Sequence, residues 1–326
     1  MRFFVTGATG FLGGYVAARC LSEGHDVVAV VGDPDQARQI GRYGVQPHVG
    51  SILDPDSMRR GMRGVDGVFH AAEWHAVGER HSGLIERINV DGTRNVLELA
   101  MSFGVPRIVY TGSLASYGDT RTGVVAADDG YRGPLRTRYG RSKRRARDEV
   151  IEPLLRLRAP IITLQPGVVY GPGDPTALGR LLTRYVMGRV PVVPTRTAYS
   201  WGHVEDVADV HFLAMQRGVP GRTYIVGGPH HTLREVIGIV ARLAGKRRPP
   251  FPVPGPALRP AAWGASLLGL AVPAMRGIAD SIRATAGTTY LGDDGPARRE
   301  LGFDPRPVSE GIPDTVRSLL QELFEG

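Results

Sequence analysis

The chain has 326 residues, of which 42% are hydrophobic and 22% charged, as is typical of a globular protein with one large domain or two unequal ones. Its formal net charge of +8 could attract a polyanion, but the arginines are scattered among acids and no nucleic-acid-binding motif is present. We therefore expect no nucleic-acid partner. The single cysteine, Cys20, excludes an internal disulfide, and no signal-like hydrophobic region comes before the first glycines, so we expect a cytoplasmic location.

Short apolar runs alternate with helical patterns through residues 1–166. The strand-like runs are RFFVTG, DVVAVVG, GVFHAA, RIVYTGS and APIITLQPG, and helical patterns such as FLGGYVAARCLSEG lie between them. Buried strands that alternate with helices form parallel sheets covered on both faces. The pattern predicts an α/β fold of the Rossmann type, with a doubly wound parallel sheet.

After Pro166 the pattern changes to loops rich in Pro and Gly, followed by one late strand-like run, RTYIVGG. We predict a nucleotide-binding domain of residues 1–166 plus about 200–228, and a smaller, discontinuous substrate domain of residues 167–199 plus 229–326. The apolar stretch 261–275 is shorter than a membrane span and contains Pro273, so it predicts a helix that is buried or covers a pocket. No stable membrane insertion is expected.

A glycine-rich loop lies at the first junction between a strand and a helix. Gly7, Gly10 and Gly13 form the pattern GATGFLG. Glycine lets the backbone turn tightly and approach a pyrophosphate, whose charge is then met by free N–H groups at the start of the helix. The position of the loop favours dinucleotide binding over a simple packing turn.

The end of the second strand, AVVGDP, bears on the choice between NAD and NADP. Val31 and Gly32 stand where an acid would bond the ribose hydroxyls of NAD, and Asp33 lies slightly beyond. Arg38 is the nearest cation that could reach the 2′-phosphate of NADP. We favour NADP and keep NAD open; Asp33 could instead cap the following helix.

Tyr139 and Lys143 form a Y-x-x-x-K pattern on a predicted helix, which puts both side chains on one face. Arginine serves almost everywhere else as the basic residue, since only two of the 40 Lys and Arg residues are lysines. An ammonium near a phenol favours the phenolate and so lowers its pKa. Ser113 ends the run RIVYTGS, at the sheet edge where ligands of parallel sheets bind. Tyr139 could then exchange a proton with a substrate oxygen during hydride transfer.

Taken together, TGATGFLG, HAA, NVDGTRNV, TGSLASYG, Y-x-x-x-K and PGVVYGPGD stand in the order found in the extended short-chain dehydrogenase/reductases. The chain resembles this family over some 230 residues, more thinly through HVEDVA and YIVGG. The resemblance implies that Tyr139 is the acid/base, that Lys143 holds the nicotinamide ribose, and that Ser113 bonds the reacting oxygen. Asn89 is similar to the asparagine that supports the proton relay, or it could only cap its helix.

The resemblance also implies a wider set of cofactor contacts beyond the glycines, Asp33 and Arg38. These residues are Thr9, Phe11, Leu12, Ser51, Ile52, Ala71, Ala72, Tyr139, Lys143, Pro166, Val168 and Val169. The family commonly dimerises, so we expect a homodimer.

Departures from the family pattern narrow the chemistry. Leu114 and Ala115 follow Ser113, where sugar dehydratases have acidic residues. Val168 and Tyr199 replace an asparagine and an arginine that hold the diphosphate in nucleotide-sugar epimerases. Arg180, Arg184 or Arg196 could substitute, so an epimerase of a sugar or sugar nucleotide with tightly bound NAD(P) stays the alternative.

The remaining pocket candidates suit a ring or a lipophilic carbonyl. They are Trp74, His75, Ser113, Tyr170, Trp201 and His203. The chain looks most like the subgroup of dihydroflavonol reductases and 3β-hydroxysteroid dehydrogenases. We expect an NAD(P)-dependent enzyme that interconverts a carbonyl and an alcohol on such a small molecule. A non-catalytic NADP-binding sensor is a further alternative, which the presence of both Tyr139 and Lys143 disfavours. HVEDVADVH contains metal-binding residue types, but these suit a helix start better, so no metal is assigned.

Overall fold

A computed structural model of the chain describes residues 1–74, 82–121, 123–130, 133–188, 192–245, 251–254, 257 and 286–325. The stretch 261–275 and His75 lie outside the described residues. Within these ranges, no helix has both the length and the apolar content needed to cross a membrane.

Seven parallel strands form the main sheet. They are β1 (Arg2–Thr6), β2 (Asp26–Val31), β3 (Gln46–Val49), β4 (Gly67–His70), β5 (Ile108–Thr111), β6 (Ile161–Pro166) and β10 (Thr223–Val226). The spatial order is β10-β6-β5-β4-β1-β2-β3, so the strand order reverses between β1 and β4. A crevice at such a reversal is where open parallel sheets bind ligands. The sheet confirms the predicted Rossmann-type α/β fold.

The described residues form helices that cover both faces of this sheet and further helices that pack with the smaller sheet described below. The helices are α1 (Phe11–Ser22), α2 (Pro34–Gly41), α3 (Pro55–Met62), α4 (Ser82–Glu86), α5 (Thr93–Ser102), α6 (Arg138–Ala146), α7 (Glu152–Arg156), α8 (Ala177–Val186), α9 (Val204–Arg217), α10 (Leu233–Leu243), α11 (Gly295–Leu301) and α12 (Val308–Glu325). π-Helical turns run over Arg87–Gly92 and Arg147–Ile151, and a 3-10 turn over Leu114–Tyr117.

Successive side chains of a strand point to opposite faces, and here both faces are apolar. Phe3 and Val5 pack in one buried cluster with α1, α9 and α11, whereas Phe4 packs in the other with α3, α5 and α6. This two-sided burial explains why the strands read as continuous hydrophobic runs in the sequence.

A smaller sheet is built around β9 (Ala198–His203). It pairs with β7 (Val168–Tyr170) and β13 (Thr289–Tyr290) in parallel and with β11 (His230–Thr232) antiparallel. A separate pair joins β8 (Val192–Pro194) to β12 (Phe251–Val253). Side chains from this sheet and from α8, α10 and α12 form a third buried cluster.

The chain passes between the two sheets more than once after β6. Residues 200–203, which we predicted in the nucleotide-binding domain, belong to β9 of the smaller sheet, and the chain returns to the main sheet only with α9 and β10. Residues predicted in the substrate domain also cross back, since Ala297 and Phe303 pack under the main sheet. The division of the chain into a nucleotide-binding domain and a substrate domain stays a prediction.

Candidate active site

The glycine loop follows β1 and is closely packed against the end of β4. Gly7 has a φ of 78°, and a Cβ there would lie 2.7 Å from the backbone nitrogen of Ala72. A Cβ at Gly13 would overlap the carbonyl of Gly7. Gly10 stands at the N-cap of α1, where no described side chain caps the helix and no acid lies in its first turn. The first N–H groups of α1 are therefore oriented to receive an anion such as a pyrophosphate, so these residues fit a dinucleotide.

The other residues predicted to contact the cofactor lie mainly at the carboxyl ends of the strands. Ala71 and Ala72 follow β4, and the Ala72 N–H donates to the Thr6 hydroxyl at 3.2 Å. Pro166 ends β6, and Ser51 and Ile52 follow β3. Thr9 lies in the glycine loop, Phe11 and Leu12 open α1, and Val168 and Val169 belong to β7.

Asp33 has a structural role at the end of β2. Its side chain caps α2 by accepting hydrogen bonds from the N–H groups of Asp35 and Gln36, each at 2.9 Å. Arg38 lies on the same helix, is largely exposed, and forms an ion pair with Asp35. A role of either residue in cofactor choice stays a prediction.

Tyr139 and Lys143 lie on α6, as the pattern predicts. Thr137 caps this helix by accepting a hydrogen bond from the Gly140 N–H at 2.9 Å. A Cβ at Gly140 would lie only 2.9 Å from the Ala115 carbonyl oxygen, so the glycine lets α6 pack directly on the turn after β5. Lys143 is only 3% exposed and its Nζ donates to the Thr111 carbonyl at 2.9 Å.

A carboxylate that the sequence reasoning missed joins this pair. The Tyr139 hydroxyl donates to Oε2 of Glu73 at 2.9 Å, and Nζ of Lys143 lies 2.7 Å from the same oxygen. Glu73 directly follows the HAA run at the end of β4. Its position as an acid at the carboxyl end of a central strand is the signal that could have identified it.

Burial and Glu73 set the protonation of the pair. Burial and the neighbouring Glu73 carboxylate raise the pKa of Tyr139 well above its ordinary value, while a hydrogen bond with Ser113 opposes the shift. For Lys143, burial disfavours the charged form, but the Glu73 carboxylate and Tyr110 together oppose it, and the pKa is raised. In this arrangement Tyr139 is a neutral phenol and Lys143 a cation.

Ser113 lies just beyond β5 and next to Tyr139, where it can contact a reacting group. Its hydroxyl caps the 3-10 turn by accepting from the Ala115 N–H at 3.2 Å, and it is 8% exposed. Its own N–H donates to Oε1 of Gln165, a residue of β6. Gln165 therefore positions the serine from the neighbouring strand.

Asn89 lies in a π-helical turn and joins the loop after β4 to α6. Its Oδ1 accepts from the Trp74 N–H at 2.8 Å, and its Nδ2 donates to the Ser142 hydroxyl at 2.9 Å. Neither bond is that of a helix cap. The asparagine thus fixes the backbone next to Glu73, while the predicted role in a proton relay is not tested by these contacts.

Two buried histidines hold the strands that carry the site. His70 contacts the hydroxyls of Thr6 and Thr93 at 2.7 and 2.9 Å, and His211 contacts the Thr111 hydroxyl at 2.9 Å. Burial lowers the pKa of His70 to about 3 and that of His211 to about 4. Both rings are therefore neutral at physiological pH.

Three of the predicted substrate contacts lie in a hydrophobic core. Tyr170, Trp201 and His203 are at most 1% exposed, and Tyr170 packs edge-on against the other two rings. Trp201 uses its indole N–H within the smaller sheet, donating to the His231 carbonyl at 2.9 Å. This packing disfavours direct substrate contact by the three. Trp74 is half-buried beside Glu73 and stays a candidate.

The fold and site together define a dinucleotide-binding α/β protein with a tyrosine–lysine pair at the carboxyl edge of its sheet. The model of the NAD dependent epimerase/dehydratase family matches residues 3–227, and the chain belongs to this family. The predicted recognition as an extended short-chain dehydrogenase/reductase, of the epimerase/dehydratase kind, is confirmed.

Two named relatives match nearly the whole chain. A putative dihydroflavonol 4-reductase of Synechocystis sp. is 29% identical over 324 residues, or 96% of this chain and 93% of the relative. A 4-hydroxy-2-methyl-3-oxo-4-farnesyl-3,4-dihydroquinoline-1-oxide ketoreductase of Stigmatella aurantiaca is 28% identical, and the match spans 97% of this chain and 96% of the relative. Among solved structures, that of gox2253 is 30% identical, covers 98% of each chain and has a TM-score of 0.82.

Proposed function

We propose that the protein is a reductase or dehydrogenase that interconverts a carbonyl and an alcohol on a ring-containing or lipophilic small molecule. The observation that carries the proposal is the pairing of half-buried Tyr139 with buried Lys143 beside Ser113, at the same sheet edge as the glycine loop. Relatives named as a dihydroflavonol reductase and a farnesyl-quinoline ketoreductase support the substrate class.

In carbonyl reduction, Tyr139 is the proton donor. Its raised pKa keeps the phenol protonated, so it can protonate the carbonyl oxygen as negative charge develops there. The Ser113 hydroxyl lies next to Tyr139 and donates a second hydrogen bond to the same oxygen. The Lys143 ammonium stabilises the phenolate that remains. The nicotinamide cofactor supplies the hydride when bound.

NADP is the favoured cofactor. No acid stands at Val31 or Gly32, and the side chain of Asp33 is engaged in the helix cap, which leaves the end of β2 without a dedicated acceptor for ribose hydroxyls. Arg38 on α2 supplies the cation for a 2′-phosphate. NAD remains the alternative because the family is named as NAD dependent.

The epimerase alternative is disfavoured by the same residues as in the sequence reasoning. Tyr199, where an epimerase would have an arginine, is buried and stacks on Tyr290 with ring centroids 5.9 Å apart. Arg180, Arg184 and Arg196 are all exposed. They would have to supply the missing diphosphate contacts from the surface.

The test is turnover of NADPH or NADH with a panel of aromatic ketones, steroids, quinolones and aldehydes. We expect oxidation of NADPH with at least one lipophilic ketone, and a loss of about a thousandfold or more in Tyr139→Phe. Tyr117→Phe is the matched control, since Tyr117 is buried nearby and donates only to the Ala127 carbonyl among its described contacts. Interconversion of UDP-sugars, or an undiminished Tyr139→Phe enzyme, would refute the proposal.

A further inference from the structure

One carboxylate oxygen of Glu73 bridges Tyr139 and Lys143. Its Oε2 lies 2.9 Å from the tyrosine oxygen and 2.7 Å from the lysine nitrogen, both ordinary hydrogen-bond lengths. Lys143 is 3% exposed and the Glu73 side chain is 22% exposed, so the carboxylate is the more solvent-accessible of the two charged groups. A ligand hydroxyl that bonded both groups from the same side would compete with this oxygen.

The backbone beside Glu73 is fixed, whereas its side chain is not enclosed. Asn89 holds the Trp74 N–H at 2.8 Å and also bonds Ser142 on α6, which ties the loop to the catalytic helix. Rotation of the Glu73 side chain about its own bonds would separate its carboxylate from both groups, while the bonds of Asn89 keep the backbone at Trp74 in place. The partial exposure of that side chain lets the displaced carboxylate remain solvated.

We propose that Glu73 is a positioning residue that competes with the nicotinamide ribose for Tyr139 and Lys143, holding the pair closed until the cofactor displaces it. The inference rests on the proposed function, because it takes Lys143 as the residue that bonds the ribose hydroxyls. In the closed state the ammonium is neutralised by Glu73 and the phenol is held as a hydrogen-bond donor. After displacement the ammonium instead bonds the ligand hydroxyls and stabilises the phenolate form of Tyr139.

The exchange also changes the acidity of Tyr139. Within the described residues, the titratable and charged groups that face its hydroxyl are Glu73 after β4, Lys143 on α6 and Tyr110 on β5. Burial and the Glu73 carboxylate raise the pKa of Tyr139, so departure of the carboxylate lowers it. Cofactor binding and removal of the Glu73 charge should therefore shift the tyrosine titration in the same direction.

The experiment measures the dissociation constants of NADPH and NADH by nicotinamide fluorescence in wild type, Glu73→Gln and Glu86→Gln. Glu86 is the matched control because it also pairs with an α6 cation, Arg145, but on the exposed face at 2.8 Å. The amide at position 73 loses the charge that competes for Lys143, so we expect about tenfold tighter binding. Glu86→Gln should change the constant less than twofold, a small effect typical of an exposed pair.

A spectroscopic readout separates competition from a general change of charge. Ultraviolet absorbance of tyrosinate, with the Tyr139→Phe titration subtracted, should show Tyr139 ionising at lower pH in cofactor-free Glu73→Gln than in wild type. Loading wild type with cofactor should produce a shift of the same sign. If Glu73→Gln does not fold, Glu73→Asp, whose shorter side chain retracts the carboxylate from the pair, should give the same two changes.

Three outcomes contradict the inference. Unchanged or weaker cofactor binding in the position-73 variants, with wild type binding normally, overturns the competition by Glu73 and leaves the proposed function intact. An unshifted Tyr139 titration does the same. If neither wild type nor any variant binds NADPH or NADH, the proposed function fails and the inference fails with it.

Discussion

The two sheets of the molecule differ in what the residues singled out from the sequence do. In the main sheet, the motif residues Gly7, Gly13 and Gly140 allow close backbone contacts, and Tyr139 and Lys143 meet in a charged cluster at the strand ends. In the smaller sheet, the aromatic residues of β7 and β9 fill a core. The residues at the main sheet form a site that can carry out chemistry, whereas the aromatic residues of the smaller sheet stabilise the fold by their burial.

Position in the sequence predicts a functional site better at the strand ends of the main sheet than along the strands of the smaller one. Parallel strands bring their carboxyl ends to one edge, so residues that follow several strands must converge there. An aromatic residue on a strand carries no such information, because its side chain can face a pocket or a core equally well. Tyr170 and Trp201 were predicted at the pocket from residue type alone, and both are buried.

Trp201→Ala tests whether the aromatic residues of β9 stabilise the fold or bind substrate. The side chain is fully buried and its indole N–H bonds the His231 carbonyl, so truncation should lower the free energy of unfolding by about 3–5 kcal/mol. Chemical denaturation measures the change. Val192→Ala truncates an exposed side chain of β8 and should change the free energy of unfolding by less than about 0.5 kcal/mol. A stable Trp201→Ala enzyme with a raised KM for the carbonyl substrate would instead place this residue at the pocket.

Lys143→Arg probes the geometry of the main-sheet site. The almost fully buried ammonium lies 2.7 Å from Glu73 Oε2 and 2.9 Å from the Thr111 carbonyl, and a planar guanidinium fork does not reproduce these contacts of a compact ammonium. We expect kcat/KM to fall by about a hundredfold while circular dichroism shows a folded protein.

The control for this substitution is Arg145→Lys, the reverse exchange on the same helix. Arg145 is exposed and pairs with Glu149 and Glu86, so a lysine there should leave the rate unchanged within about twofold. Retention of full activity in Lys143→Arg would show that position 143 requires only a positive charge. The geometric reading of the site would then be wrong.

Much of the fold and part of the site could be predicted from the sequence for definite reasons. The glycine loop, Tyr139, Lys143 and Ser113 follow from spacing and from position at strand ends, which a parallel sheet converts into proximity. Glu73 escaped notice because its importance depends on where its carboxylate turns, and side-chain direction in a loop has no periodicity. Which sheet residues 200–203 and Phe303 pack against depends on long-range packing, and local sequence patterns do not predict such packing.

Gly13→Ala tests whether the loop is built for close approach. A methyl group there would overlap the Gly7 carbonyl, so the loop must shift away from the position that receives a pyrophosphate. We expect roughly tenfold weaker binding of NADPH by fluorescence titration. Gly238→Ala is the control, since nothing lies within 4 Å of a Cβ at that helical position, and alanine there should stabilise slightly without affecting binding. Equal affinities in both variants would contradict the assigned role of the loop.

Arg38→Ala carries the smallest expected effect and addresses the cofactor. Arg38 is 69% exposed and its pair with Asp35 is a surface pair, so its loss should hardly change stability. If its guanidinium meets the 2′-phosphate, the dissociation constant of NADPH should rise roughly threefold to tenfold while that of NADH stays the same. Arg42→Ala, just beyond the end of the same helix, removes an equal charge and controls for long-range attraction. If wild type shows no preference for NADPH, or if the preference survives in Arg38→Ala, then Arg38 does not select the cofactor.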